Sequence, residues 1–353
     1  MATYQGKILT RSPFYITAAG IGILEKAELK VFIWSGSSAS KPASATYTIS
    51  KDALTATSST IIFEVSELIR DFYNHNRDAY TDSLNTFDDV LWVETDLTMT
   101  PVTGSESLVN SIYLAVDGYQ GFSDGVNPQG TNILVNELNI LDGEDKLLPV
   151  FAHSDGIDKV EWLKDSVVID TDDLSTAVAS LFSYDKLQYL TNSSDVDEIK
   201  LYNSAVLQDT ITINIVDECK YTPKEVKFYD ANGALQRIFM FKKSIETLST
   251  NREDYNSIIG GVEFNNYTYS TSKHQYKNYN ITGQKGVTLN TGYLNEVNNV
   301  VLEQLLLSEL VWVDNKPVNI KTDNITYQTR TNDKLINYTI SFDYANNVIN
   351  NVY

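Results

Sequence analysis

In 353 residues the chain has one cysteine, Cys219, three histidines, seven prolines and no run of 18 apolar residues. A single thiol excludes an intrachain disulfide framework, so nothing in the sequence demands an oxidising compartment. His75, His153 and His274 stand far apart, without the spacing of a zinc site. The missing apolar run excludes a membrane-spanning helix. No GxxxxGK[ST] and no strand followed by GxGxxG occurs, which excludes those two phosphate-binding loops, and no cofactor is expected. The opening MATYQGKILTRSPFYITAAGIGIL lacks the basic head and compact apolar core of a signal peptide, so synthesis in the cytoplasm without export is expected. Positive charge is short as well. With 27 Lys and Arg against 46 Asp and Glu, the formal net charge is −19. That excess repels nucleic acid and anionic lipid, so no specific nucleic-acid binding is expected. A like-charged wall does suit a passage through which DNA slides.

What is present reads as β structure. The 42% hydrophobic content is enough to fill cores, and the length suits about two domains. The first 120 residues hold short runs such as PFYITAA, ELKVFIWSG, STIIFEVS, DVLWVETDL and SIYLAVDGY. Their Val, Ile, Thr and aromatic residues, divided by Gly, Ser, Asn and Asp, predict an all-β sandwich of immunoglobulin-like or fibronectin-like size over residues 1–119. Ser66 is read as the cap of a short helix whose Leu68, Ile69, Phe72 and Tyr73 share a stripe. Residues 120–144, rich in Gly, Asn and Asp, read as a crossing segment. A second β-rich domain is expected over 145–353, with a short helix after Asp173 and one strong helix at 295–310. That strong helix is apolar nearly all round, which predicts that it is sandwiched, within its own domain or by a neighbour. The expected class is mainly β with a few short helices.

Candidate chemistry is sparse. A nucleophilic Cys219 would need a base, and the histidine nearest in sequence, His274, lies 55 residues downstream. A small buried or half-buried thiol at a strand end is the simpler reading. His153 with Asp155 or Asp158 would suit a metal or proton transfer, but Ser154, Asp155 and Gly156 also read as a turn. Asp170, Asp172 and Asp173, or Asp142, Glu144 and Asp145, would suit calcium. Leu174 and Ser175 occupy the positions where a calcium loop needs an oxygen ligand and a glycine, so capping and solvated loops explain these acids better, and no metal is expected. Asn-x-Thr triplets at Asn266, Asn280 and Asn324 are read as composition.

Residues 264–280, FNNYTYSTSKHQYKNYN, mix tyrosine and asparagine in a way that fits sugar stacking or a protein interface. The interface is the stronger reading, with Tyr267, Tyr269, Tyr276 and Tyr279 as its contacts. The stretch 218–244 adds Lys220, Lys224, Lys227, Lys242 and Lys243 to an otherwise acidic chain, and Lys242 with Lys243 are candidate docking points for an acidic neighbour. Its Asn232-Gly233 pair predicts a two-residue type I′ turn. In that register Ala231 faces Ala234, and Val226, Phe228, Phe239 and Phe241 share one face.

The segment order ECKYTPKEVKFYDANGALQRIFMFKKS, VTLNTGYLNEVNNVVLEQLLLSELVWVDNKPVNIK, NDKLINYTISFDYANNVIN resembles structural tail and neck proteins of tailed bacteriophages that infect Bacteroidota, including the crAss-like group. It covers residues 218–353 best and the N-terminal region only loosely. The resemblance implies a virion component without catalytic activity. Its expected partners are copies of itself in a cyclic homo-oligomer around the DNA passage and other proteins of the tail or neck. A receptor-binding or sugar-binding attachment protein is the alternative, and a tail-associated hydrolase a third.

Overall fold

The computed structural model describes residues 3–36, 40–55, 57–76, 90–131, 133, 136–152, 157–174, 186–326 and 336–349. The fold is β-rich, as expected, with two α-helices among the described residues. The first seven strands are β1 (Thr3–Leu9), β2 (Tyr15–Ala18), β3 (Leu24–Trp34), β4 (Tyr47–Asp52), β5 (Ile61–Glu64), β6 (Val90–Pro101) and β7 (Ser107–Val116). They form a five-stranded sheet in the order β1-β7-β6-β3-β4 and a two-stranded sheet, β2-β5. Ile16, Ala18, Ile61 and Phe63 from the small sheet pack with Leu29, Val31, Leu91 and Val93 from the large one. Strands 7, 6 and 3 with 4 beside them, facing strands 2 and 5, follow the immunoglobulin-like arrangement. Helix α1 (Ser66–Asn76) sends Ile69 and Tyr73 into this core, and Tyr73 Oη donates to the Ala115 carbonyl at 2.7 Å.

The next seven strands repeat that topology. They are β8 (Glu137–Leu141), β9 (Lys146–Ala152), β10 (Lys159–Lys164), β11 (Val167–Asp173), β12 (Lys186–Asn192), β13 (Glu198–Asn203) and β14 (Val206–Val216). Their orders are β11-β10-β13-β14-β8 and β12-β9. In both units the first strand runs parallel to the seventh, β1 beside β7 and β8 beside β14. The residues forming the two cores differ, so the duplication lies in pairing order and leaves little trace in sequence. Trp162 anchors the second core, wholly buried, with Nε1 donating to Asp172 Oδ2 at 2.7 Å. The helix expected after Asp173 falls outside the described residues.

The last part is one antiparallel sheet in the order β16-β15-β21-β22-β23-β20-β17. Its strands are β15 (Lys224–Tyr229), β16 (Leu235–Met240), β17 (Ile245–Asn256), β20 (Tyr276–Asn290), β21 (Val311–Val313), β22 (Lys316–Ile320) and β23 (Thr339–Asn347). Between β17 and β20 a separate hairpin joins β18 (Gly260–Glu263) to β19 (Asn266–Tyr269). The strong helix is shorter than 295–310: a single 3₁₀ turn, Glu296–Asn298, leads into α2 (Asn299–Leu307). Ser308 ends it with extended backbone, and its hydroxyl accepts the Tyr229 amide at 3.1 Å. Val301, Leu302 and Leu305 are buried, whereas Val297, Val300 and Leu307 stay exposed, so within this chain the helix is covered on one side only.

The β15–β16 hairpin departs from its expected register. Asp230 lies opposite Ala234, and Tyr229 pairs with Leu235, Phe228 with Gln236 and Val226 with Ile238. The loop therefore has three residues, and of Asn232 and Gly233 only the glycine has positive φ, +73°. The cause is Asp230, whose carboxylate accepts the amides of Asn232 at 2.8 Å and Ala234 at 2.9 Å and so stabilises an Asx turn that Asn-Gly alone does not specify. A one-residue slip moves every side chain of a strand to the other face. Val226 and Phe228 accordingly join Met240 in the core of the last sheet, while Phe239 and Phe241 enter the core of the second unit.

The tip of this hairpin is the joint of the molecule. The Ala231 carbonyl accepts the Tyr119 amide at 2.7 Å, and Asn232 exchanges hydrogen bonds with Thr131 at 3.2 and 3.1 Å. The Ala231 amide donates to Gln304 of α2 at 2.8 Å, and the Leu235 amide to Tyr189 of β12 at 2.9 Å. Gly118 is required by this seating, because a Cβ there would stand 2.4 Å from the Ala231 carbonyl oxygen. Ala234 packs beside Trp34, Trp92, Phe151 and Leu187, which closes an apolar seam between the first two units.

Candidate assembly interface

Strand pairing lifts one segment off the body. The ladder of β17 and β20 continues from Asn251 opposite Thr282 to Asn256 opposite Tyr276, with a bulge at Ile281 and Asn280. Over that length neither strand pairs with another strand among the described residues, since β23 pairs with β20 only from Gln284 onward. The β18–β19 hairpin sits at the far end, joined through the Ser257 amide, which donates to the Gln275 carbonyl at 2.7 Å. Residues 251–282 are thus a bare two-stranded ribbon. The fourteen residues from Asn251 to Phe264 reach up to about 45 Å at strand rise.

The candidate tyrosines all fall on this ribbon. Tyr267, Tyr269, Tyr276 and Tyr279 are 50 to 70% exposed. Tyr255 meets Tyr279 edge to face, ring centres 5.7 Å apart, and Tyr267 lies across Gly260, where any Cβ would collide with its hydroxyl. At the tip, Phe264 and Asn265 form a type I′ turn with φ of +48° and +66°. Phe264 is wholly exposed there. A bulky residue in the left-handed region costs about 1–3 kcal/mol, and asparagine or glycine would fit with less strain. Phe264→Gly is therefore expected to raise or leave unchanged the melting temperature while weakening self-association about tenfold. Sedimentation at graded concentrations measures the second effect, and unaltered association would show that the ring is no anchor.

The ribbon differs from the rest of the chain in charge too. Arg252, Lys273 and Lys277 balance Glu253, Asp254 and Glu263, which makes the segment neutral in a chain of net −19. Copies of so acidic a chain repel one another, and a neutral aromatic finger is where contact costs least.

The lysines divide. Lys242 Nζ is 2.5 Å from Glu218 Oε2, and its ammonium holds the Glu218 carboxyl below the usual carboxylate range. Lys224 pairs with Asp314 at 2.6 Å, and Lys227 donates to Asn315 at 2.7 Å. Lys220 lies over the Tyr221 ring. Lys243 is exposed, and among the described residues it alone of the five shows no such pairing. The sequence showed the cluster but not that Glu218 and the 314–315 turn already occupy most of it.

Cys219 is exposed rather than buried, in the link between β14 and β15. His153 and Asp155 lie outside the described residues, and Asp158 accepts the Ser204 amide at 2.7 Å. His274 is exposed at the base of the ribbon's tip, where its carbonyl accepts the Ser257 hydroxyl. Asp170 and Asp172 accept from Asn192 and Trp162, and among the described residues no three His, Cys, Asp or Glu side chains converge as a metal site. A cavity of about 40 Å³ lies between β8, β16 and α2, lined by Leu138, Ile140, Phe239, Leu294 and Leu302, room for one or two waters. No helix among the described residues is long and apolar enough to cross a membrane.

No protein-family model matches the chain, and no curated protein does.

Proposed function

We propose that this chain is a structural component of a tailed-phage virion, a tail or neck protein that assembles from copies of itself around the particle axis and performs no catalysis. The observation that carries the reading is the ribbon 251–282, a neutral aromatic strand pair that leaves the seven-stranded sheet and has no buried side chain among its described residues. Isolated two-stranded ribbons are marginal in water, and this one gains stability by lying on a neighbour. Two immunoglobulin-like units and a broad sheet, locked by the hairpin tip at Asp230–Gly233, supply a stiff frame that sets the angle between copies. The acidic remainder of the surface faces the DNA passage or the exterior, where repulsion keeps the polyanion from sticking. Electron microscopy of native particles tests the reading: a closed ring of this protein on the tail axis is expected, and a free monomer or a peripheral spike contradicts it.

A second reading has one observation behind it. The exposed Tyr255–Tyr279 pair, with Asn278 and Asn280 beside it, offers stacking and amide groups of the kind that hold sugars. Saturable binding on a glycan array, lost in Tyr279→Ala, would favour an attachment protein.

A further inference from the structure

The three large sheets end in six strands, and four of those ends are closed or guarded. The crossing segment covers β1: Gln129 accepts the Lys7 amide at 2.9 Å, and Lys7 Nζ donates to the Thr131 carbonyl at 3.2 Å. β16 lies against β8 and β9. β8 is flanked by the turn before α2, where Glu137 accepts from Asn295 at 2.7 Å and from Asn298 at 3.0 Å. β4 is six residues long and carries Lys51, which bonds across to the Ile62 carbonyl at 2.8 Å.

Among the described residues, β17 and β11 remain open. Natural sheets guard open edges with lysine, proline or short length. β17 has 12 residues, all exposed, without lysine or proline. β11 has neither residue type, and its one bulge, at Ile169, leaves Val167, Val168 and Ile169 exposed in a row. Two different open edges on one chain are what a head-to-tail contact uses, each copy offering one edge and accepting with the other. Charge sets the direction. β17 is entered from exposed Lys243, and β11 ends on Asp170, Asp172 and Asp173. An antiparallel arrangement brings that acidic end to Lys243 and lays Ile245 and Leu248, both exposed, beside the apolar end of β11.

We infer that β17 of one copy adds antiparallel to β11 of the next, joining the seven-stranded sheet of each copy to the five-stranded sheet of its neighbour. The inference rests on the homo-oligomeric part of the proposed function. It makes the ribbon one portion of a longer seam, with backbone hydrogen bonds at its base and aromatic contacts beyond.

Ile245→Cys and Ile169→Cys, in separate chains that both carry Cys219→Ser, are mixed and treated with a short bismaleimide. Both positions are half exposed, and unchanged melting curves check that the variants fold. The mixture is expected to give a band at twice the chain mass, and neither variant alone. Adding Lys243→Glu to the Ile245→Cys chain is expected to cut that band about tenfold; an undiminished band overturns the antiparallel direction. Crosslinking of Ile245→Cys with itself overturns the inference in favour of a two-fold contact of β17 with β17. No band from chains that sediment as oligomers overturns the seam and leaves the ring reading standing, whereas a wild-type chain that stays monomeric overturns both.

Discussion

Replacing residues 252–281 by Asn-Gly is expected to abolish self-association and leave the melting temperature within about 3 °C of the parent. Asn251 and Thr282 are already partners, so a type I′ turn closes the shortened hairpin without disturbing β17 or β20 below it. None of the apolar clusters draws on the described side chains of the ribbon. The loss in association comes from the exposed aromatics. Burying a large apolar side chain is worth about 1.5–3 kcal/mol before the costs of ordering, and a few such anchors dominate a typical interface. Removing Tyr255, Phe264, Tyr267, Tyr276 and Tyr279 together should weaken association at least about a thousandfold. Sedimentation velocity reads the change, and undiminished oligomers would remove the ribbon from the interface.

The second large effect concerns the joint. Asp230 is fully buried, and its carboxylate accepts the Asn232 and Ala234 amides and Gln236 Nε2 at 2.8, 2.9 and 2.7 Å. Asp230→Ala leaves three buried donors without acceptors, at a cost of about 3–5 kcal/mol. Urea unfolding with an unchanged m-value measures it, and a loss under about 1 kcal/mol would show that the turn is held by its neighbours alone. The same residue gives a pH signature. Burial pushes the Asp230 carboxyl up to about 6, against the pull of its three donors and of Lys7. The folded chain thus binds this proton more tightly than the unfolded chain, whose aspartates titrate near 4. The extra stability is fully present below about pH 4 and is lost as pH rises through about 6, a change of about 3 kcal/mol. Asp230→Asn should lack it, so the stability difference between parent and variant should shift by that amount across the window. Parallel curves would contradict the assignment.

Much of this architecture was legible in residue order. Period-two alternation placed the strands, and the stripe of Ile69 and Tyr73 placed α1, because burial on one face leaves a periodic record. The tyrosines of 264–280 were legible by type alone as candidate contact residues, and the structure leaves them exposed. Their setting on an unsupported ribbon was not, since that depends on which strand lacks a second neighbour. The hairpin register failed for a local reason: Asn-Gly signals a two-residue turn, but Asp230 lies close enough to capture two amides and lengthen it. The pairing of Lys242 with Glu218 was not legible either, for a long-range reason, the two being 24 residues apart. The repeated seven-strand topology was invisible because pairing order is shared while side chains are not.

The central claim is that residues 251–282 are the contact between copies. Hydrogen–deuterium exchange, followed in dilute monomer and in the assembled state, addresses it directly. In the monomer the ribbon amides should exchange fast, as a two-stranded pair with both outer edges in water must. In the assembly, amides of 251–282 and the outward amides of β17 should slow by at least about tenfold. Equal exchange in both states, with protection appearing elsewhere on the surface, would contradict the claim.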